Sequence, residues 1–356
     1  MVRSSPSTIW SPSLCGRDLL LPGGDARMRT PLRFRPFLRP MVWGGRGLKD
    51  TLGKELPTND SYGEAWEISD HASHHSVVAD GPQAGRTLRQ LMLDDGAALV
   101  GDWPGTVFPW LVKYLDCHDW LSVQVHPDEQ AVQTLWPGEN SKTEAWFVLD
   151  VRPGARVYAG LKPDVDVQVM AEAMKAGTVA DCLHTFEPKP GDCLFLPAGT
   201  VHAVGGGVLI AEVQQTSDAT FRLFDWNRVG SDGKSRTLHV EQGLASIDWN
   251  AGPVEPKHAG GYGTSTRPVW QSLVECRYFE LTYVRQSEPF TLGGSGQMQT
   301  VMVLHGEGTI DTHHGPMSLH RGETVLLPAG ASATWIVPRG GLGLLVAKLP
   351  AHRQAA

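Results

Sequence analysis

The chain has 356 residues, 41% hydrophobic and 19% charged, which gives room for a sizeable buried core and matches an ordinary globular protein. A formal net charge of −7 and a pI near 6.0 argue against a nucleic-acid binder, and no run approaches the roughly 18 apolar residues of a membrane span. The five cysteines, Cys15, Cys117, Cys182, Cys193 and Cys276, are odd in number and lack CxxC spacing, which excludes a disulfide framework and a zinc knuckle and fits a reducing cytosol.

Residues 1–27 carry serines and Arg3 around a few apolar positions and are expected to be a disordered extension, with Met28 as an alternative start. Residues 31–60 mix Pro, Arg and aromatics ahead of Trp43-Gly44-Gly45 and read as an irregular lead-in with a tight turn. The alternation over 62–69 predicts a strand. His71, His74 and His75 follow it; such a cluster invites a metal, but the small polar neighbours in HASHHS favour a solvated loop. Leu88, Leu91 and Met92 have helical spacing within 87–95, and 104–115 returns to strand character. Residues 121–126, Leu-Ser-Val-Gln-Val-His, alternate, so Gln124 and His126 share one strand face. Strand-like runs flank the Pro153-Gly154 turn, 165–177 predicts a helix, and 188–213 gives short strands between Gly and Pro turns. Many short strands with frequent turns predict a mainly β protein, a sandwich or closed jelly roll.

An internal repeat supports this. GDCLFLPAGTVH from Gly191 resembles GETVLLPAGASA from Gly322 at an offset of 131, and WFVL from Trp146 resembles VMVL from Val301 at an offset of 155. The difference of 24 residues is an insertion in the first copy, on the helical segment after Leu161. The chain therefore reads as two copies of one β-barrel unit, the first with a helical insert. His202 aligns with Ala333 and Glu144 with Gln299, so only the first copy keeps chemistry-bearing residues. His305, His313, His314 and His320 are expected at the surface or in turns.

Imidazole, amide oxygen and carboxylate converging from neighbouring strands suit a divalent metal, and Gln124, His126, Glu144 and His202 are the candidate set. The bland alternative for His202 is a core imidazole bonded to a carbonyl. Glu212, Gln214 and Thr216 share a face of the following strand, and Asp218 and Arg222 continue into a loop. Lys113, Lys142 and Arg222 in an acidic protein are what a phosphorylated small substrate would require.

Trp43-Gly44-Gly45, YGEAWEIS from Tyr62, FPWLVKYLD from Phe108, LSVQVHPD from Leu121, KTEAW from Lys142, PAGTVHAVG from Pro197 and QQTSDATFRLFDWNR from Gln214 together resemble the type I mannose-6-phosphate isomerases, in particular their short bacterial form. The resemblance runs in order over residues 31–248. It implies the cupin superfamily: two cupin-type jelly-roll barrels, a catalytic domain over 28–250 with a helical insert near 162–184, and a metal-free cupin-like domain over 251–356. It also implies one zinc ion per chain on Gln124, His126, Glu144 and His202, with Arg222, Glu212, Asp218 and Lys142 catalytic and Lys113 and Ser122 lining the substrate pocket. The implied reaction interconverts mannose 6-phosphate and fructose 6-phosphate through a cis-enediol, in a cytoplasmic monomer or homodimer with no nucleic-acid or membrane partner. Long eukaryotic-type members place Tyr two residues after the ligand His, where this chain has Val204. Two alternatives are a non-catalytic sugar-binding cupin and a non-haem iron cupin oxygenase.

Overall fold

The computed structural model describes residues 30–229, 233–263 and 266–350; the extension expected over 1–27, with Met28, lies outside the described residues. The chain is mainly β and forms two antiparallel jelly rolls of the cupin kind, each a large and a small sheet. In the first, a seven-stranded sheet runs in the order Lys257–His258, Asp192–Leu196, Glu144–Val151, Val208–Gln215, Trp110–Cys117, Tyr62–Ile68, Phe37–Gly45, and the smaller sheet runs Leu183–Phe186, Arg156–Leu161, His202–Gly205, Val123–Val125, Phe221–Phe224. The second repeats this with a six-stranded sheet centred on Gln299–His305 and Leu342–Lys348 and a four-stranded sheet of Phe290–Leu292, Thr334–Pro338, Glu307–Ile310 and Met317–His320. The strand Leu32–Arg33 pairs with Thr324–Leu327 of the second unit, and Lys257–His258 pairs with Asp192–Leu196 of the first, so each large sheet ends on a strand from the other stretch of sequence.

Period-2 alternation in the large sheet separates two cores. Trp146 and Val148 point into the first barrel with Leu115, Ile210 and Val204, whereas Ala145, Phe147 and Leu149 point outward into a cluster that also holds Phe279, Tyr283, Met302 and Leu326 of the second unit. Both faces of this sheet are thus dry, which is why its strands read as nearly continuous apolar runs. Phe147 stacks on Tyr283 at 5.9 Å, and the Trp110 indole donates to the Tyr278 carbonyl across the same seam.

The helices follow their caps. Thr87 and Gln90 form a reciprocal capping box at the start of Leu88–Val100, which continues past the expected end at 95 through a kink at Asp95 and buries Leu99 and Val100. Asp166 caps Val167–Ala176, and Gly177 ends it with φ 72°. That helix and the short turn Val179–Cys182 sit between Leu161 and Leu183, which places the repeat's 24-residue difference in one connection of the first barrel. Met170 and Val179 pack there over Val125, Val201 and Phe221 of the small sheet. The helices Glu129–Leu135, capped by Asp128, and Val240–Ser246 were not anticipated. The lead-in over 31–60 also holds more order than expected: Phe37–Gly45 is an edge strand whose register slips at Pro40, where no backbone donor exists.

Phe279 is fully buried in the seam and meets Phe195 edge-on at 6.5 Å. Phe279→Ala is therefore expected to cost about 3–5 kcal/mol of stability, measured by urea unfolding; a loss under about 1 kcal/mol would contradict a shared core between the barrels.

Candidate active site

The inner face of the first barrel is apolar except at one end. There the large sheet contributes Lys113, Glu144, Glu212 and Gln214, all buried, with Glu144 opposite Leu196 and Gln214, and Glu212 opposite Lys113. The small sheet contributes Gln124, which lies opposite His202 on one side and Arg222 on the other. The turn before His202 depends on Gly199, whose φ of 89° suits glycine and whose N–H donates to the His126 carbonyl at 2.8 Å. That bond ties the two histidine-bearing segments together.

His126 Nε2 lies 3.3 Å from Glu144 Oε2, and His202 Nε2 lies 3.2 Å from Glu144 Oε1. Each imidazole uses its other nitrogen, Nδ1, to donate to a backbone carbonyl, that of Ala219 for His126 and of Thr200 for His202, both at 2.9 Å. The proton therefore sits on Nδ1, and both Nε2 atoms present lone pairs to the carboxylate. Burial, with Lys142 as the next cause, holds the His126 pKa down at about 3. Burial alone would raise the Glu144 pKa, but the Lys142 ammonium 3.3 Å away opposes it, and the carboxyl is held well below its usual range. His126 Nε2 and both Glu144 oxygens have no hydrogen-bond partner among the described residues. Acceptors facing acceptors in a buried site repel one another, and a divalent cation between them reverses the sign. The three side chains form a group whose ligand atoms lie within 4.8 Å of one another, so the donor set fits a metal. The Gln124 amide reaches His202 Nε2 through its nitrogen at 3.1 Å; turned over, it would present Oε1 at the same place. His202 thus satisfies both of its sequence readings, a carbonyl-bonded core imidazole on one edge and a cluster member on the other.

A pocket of about 260 Å³ lies beside this cluster, joined to it through Gln124 and Lys142, which contact His202 and Glu144, and lined also by Lys113, Ser122, Glu212, Asp218 and Arg222, so every remaining candidate meets there. Glu212 is buried, accepts from the Trp146 indole at 2.8 Å, and lies 3.1 Å from Lys113 Nζ. Burial raises its pKa, Glu144 adds to the rise, and Lys113 opposes it. Burial also works against the Lys113 charge, but the surrounding carboxylates, Glu212 foremost, more than offset it and raise the lysine pKa. Asp218 differs: its side chain is 42% exposed at the rim, 3.9 Å from Arg39. Arg222 donates to the Thr237 carbonyl at 2.8 Å, and its pKa is lowered by burial and then by Arg236.

Several pocket residues carried no readable signal. Arg39, on the strand expected to be irregular, pairs with Glu64 and lies over the Trp66 ring at 4.8 Å. Arg236 reaches the pocket from a segment the motifs do not cover and is held by Asp225. Glu64 and Trp66 lie inside YGEAWEIS, but alternation alone assigned them no task. The HASHHS histidines are not a solvated loop: Asp70–His71 and His74–His75 form a small half-buried hairpin, with His74 stacked on Phe37 at 4.0 Å and His71 bonded to Glu139.

The second barrel keeps the register and not the groups. The pairings that place Glu144, Lys113 and Glu212 in the first fall on Gln299, Thr282 and Val346 in the second, and His202 aligns in sequence with Ala333. His313, His314 and His320 are exposed there, as anticipated, but His305 is half-buried, contacts the Tyr283 hydroxyl at 3.1 Å, and has its pKa pushed down to about 4 by burial and then Arg285.

A tandem pair of cupin barrels with one metal-ready end is the architecture of a bicupin enzyme. The profile for the phosphomannose isomerase type I catalytic domain matches residues 32–151. Mannose-6-phosphate isomerase ManA of Bacillus subtilis is 32% identical over 308 residues, covering 84% of this chain and 93% of that protein, and mannose-6-phosphate isomerase of Streptococcus mutans is 34% identical over 312 residues, covering 85% and 93%. The crystal structure of the Bacillus subtilis mannose 6-phosphate isomerase superposes with a TM-score of 0.78 at 28% identity, covering 89% of this chain and 99% of that one. The chain belongs to the type I mannose-6-phosphate isomerase family and is an isomerase of that class.

The depressed His126 pKa has a consequence for the metal-free protein. Between its ordinary value of 6.5 and about 3, the unfolded chain takes up a proton that the folded chain refuses, so stability is lost as pH falls through that window. His126→Gln is expected to flatten the decline, measured as urea midpoints across the window in the presence of chelator; parallel curves would contradict a buried neutral imidazole.

Proposed function

We propose that this chain interconverts mannose 6-phosphate and fructose 6-phosphate in the first barrel, with zinc held by Gln124, His126, Glu144 and His202. The observation that carries the reading is a pocket lined by a buried carboxylate of raised pKa, Glu212, and by Gln124 and Lys142, the side chains that reach His202 and Glu144 of the His–Glu–His cluster. Two imidazoles, a carboxylate and an amide oxygen form the mixed nitrogen and oxygen set that zinc accepts. When bound, the ion would supply Lewis-acid stabilisation of the negative charge that develops on the substrate's oxygens.

The chain's own groups account for the rest. Interconversion moves one proton from C2 to C1 and another from the C2 hydroxyl oxygen to the C1 oxygen, by way of a cis-enediol. Of the two candidate bases, Glu212 is favoured over Asp218, because burial raises its pKa above the usual carboxylate value whereas the Asp218 side chain is 42% exposed at the rim. Glu212 takes the C2 proton and returns it to C1; the Trp146 indole and Lys113 fix its two oxygens. Lys142, on the pocket wall, is placed to assist proton movement between the oxygens. Arg222 stabilises the developing enediolate electrostatically.

The pocket's charge suits a phosphorylated sugar. Arg39, Lys113, Lys142, Arg222 and Arg236 line it against Glu64, Glu212 and Asp218, an excess of cations within a chain whose net charge is −7. Ser122 and Lys113 are the substrate-lining groups beside the metal set.

A coupled assay that follows fructose 6-phosphate formation tests the reading. The wild type should isomerise mannose 6-phosphate, lose activity to a chelator and regain it with zinc, and Glu212→Gln should lower kcat by roughly 10²–10⁴. Activity that survives chelation, or a Glu212→Gln variant within tenfold of wild type while Asp218→Asn fails, would overturn the metal or the choice of base.

A further inference from the structure

We infer that Glu139 is a positioning residue for this active site and that His71 holds it in place, an inference that rests on the reading above. Glu139 lies on the connection between the Glu129–Leu135 helix and the Glu144–Val151 strand, three residues before Lys142 and five before Glu144. Its carboxylate bridges two parts of the barrel. Oε1 meets His71 Nε2 at 3.0 Å, and Oε2 accepts from the Ser217 hydroxyl at 3.2 Å and the Asp218 N–H at 3.4 Å.

The turn that Glu139 grips serves the site twice. Ser217 is fully buried; its single hydroxyl proton is shared between the Glu139 carboxylate and the Asn140 carbonyl at 2.7 Å, and its oxygen accepts the Ala219 N–H at 3.1 Å. The next residue, Asp218, lines the pocket. The one after it, Ala219, offers the carbonyl that receives the His126 Nδ1–H. One carboxylate therefore fixes a turn whose backbone sets both the rim acid and the tautomer of a cluster imidazole. Asn140 adds a second strap by donating to the Thr216 carbonyl at 2.8 Å.

His71 is itself held from behind. Its Nδ1 meets the Ser73 hydroxyl at 2.7 Å, and its ring lies edge-on to Trp66 at 6.0 Å, the same indole that faces Arg39 and Lys113. The Glu139 carboxyl is held below its usual range: burial alone would raise it, and the His71 contact outweighs burial. The HASHHS hairpin, which touches no substrate-lining group through His71, thus acts on the site through Glu139.

Glu139→Ala, Glu139→Gln and the wild type are compared in two measurements. In the coupled assay Glu139→Ala should lower kcat about 10–100-fold with KM for mannose 6-phosphate changed less than about threefold, because the reacting groups are displaced rather than removed. In chelator-competition titrations with zinc alone, Glu139→Ala should weaken affinity about tenfold through the loosened His126. Glu139→Gln, whose amide oxygen still accepts from Ser217 and Asp218 while its NH2 turns to the His71 Nε2–H, should recover part of both. Zinc affinity within twofold of wild type in Glu139→Ala, or a glutamine variant no better than the alanine variant, overturns the inference. A wild type that binds zinc and does not turn over mannose 6-phosphate would count against the isomerase reading, and the zinc titration would still decide the role of Glu139.

Discussion

Two imidazole lone pairs and an ionised carboxylate face one another at 3.2–3.3 Å, buried at the polar end of the first barrel. Unassisted, that contact is repulsive, and the surrounding structure works to keep it. The carbonyls of Ala219 and Thr200 lock both tautomers so that neither Nε2 carries a proton. Lys142 keeps Glu144 ionised, and Gly199 ties the His126 segment to the turn before His202. A sheet region optimised for stability alone would replace such a set with apolar groups. The donor set that remains fits a divalent cation.

The second barrel is the internal control. Its sheets run in a matching order with one strand fewer each, yet Gln299 and Ala333 stand where the first has Glu144 and His202. Its interior closes with Val284, Val301, Val303 and Leu344. Fold and chemistry therefore separate within one chain. The second barrel's contribution is mechanical: its large sheet seals the outer face of the strands that carry Lys113, Glu144 and Glu212, so these side chains project from a sheet buried on both sides.

Much of this was legible in the sequence where a residue's task is written in period or spacing. Gln124 and His126 alternate, so their shared face follows from strand geometry; the 131-residue repeat located both barrels and, by its defect, the helical insert. Leu88, Leu91 and Met92 mark their helix by spacing, whereas the caps at Thr87 and Asp166 were not read. What else escaped depends on contacts between residues distant in sequence. Arg39 sits in a proline-interrupted strand, and its pairing with Glu64 exists only once two edge strands lie side by side. His71 looked solvated because its immediate neighbours are small and polar, whereas its partner Glu139 is 68 positions away. His305 is drawn inside by Tyr283, two strands away in the same sheet, again a tertiary effect. The relative merit of Glu212 and Asp218 was open for the same reason, since burial distinguishes them and spacing does not.

The central claim is that the first barrel's His–Glu–His cluster, with Gln124, is a metal site built from nitrogen and oxygen donors. X-ray absorption at the zinc edge on the zinc-loaded protein tests it most directly. The account predicts two imidazole shells with nitrogen and oxygen distances of about 2.0–2.2 Å and no sulfur. A sulfur shell near about 2.3 Å, or an unchanged spectrum after His202→Ala, would place the metal elsewhere and contradict it.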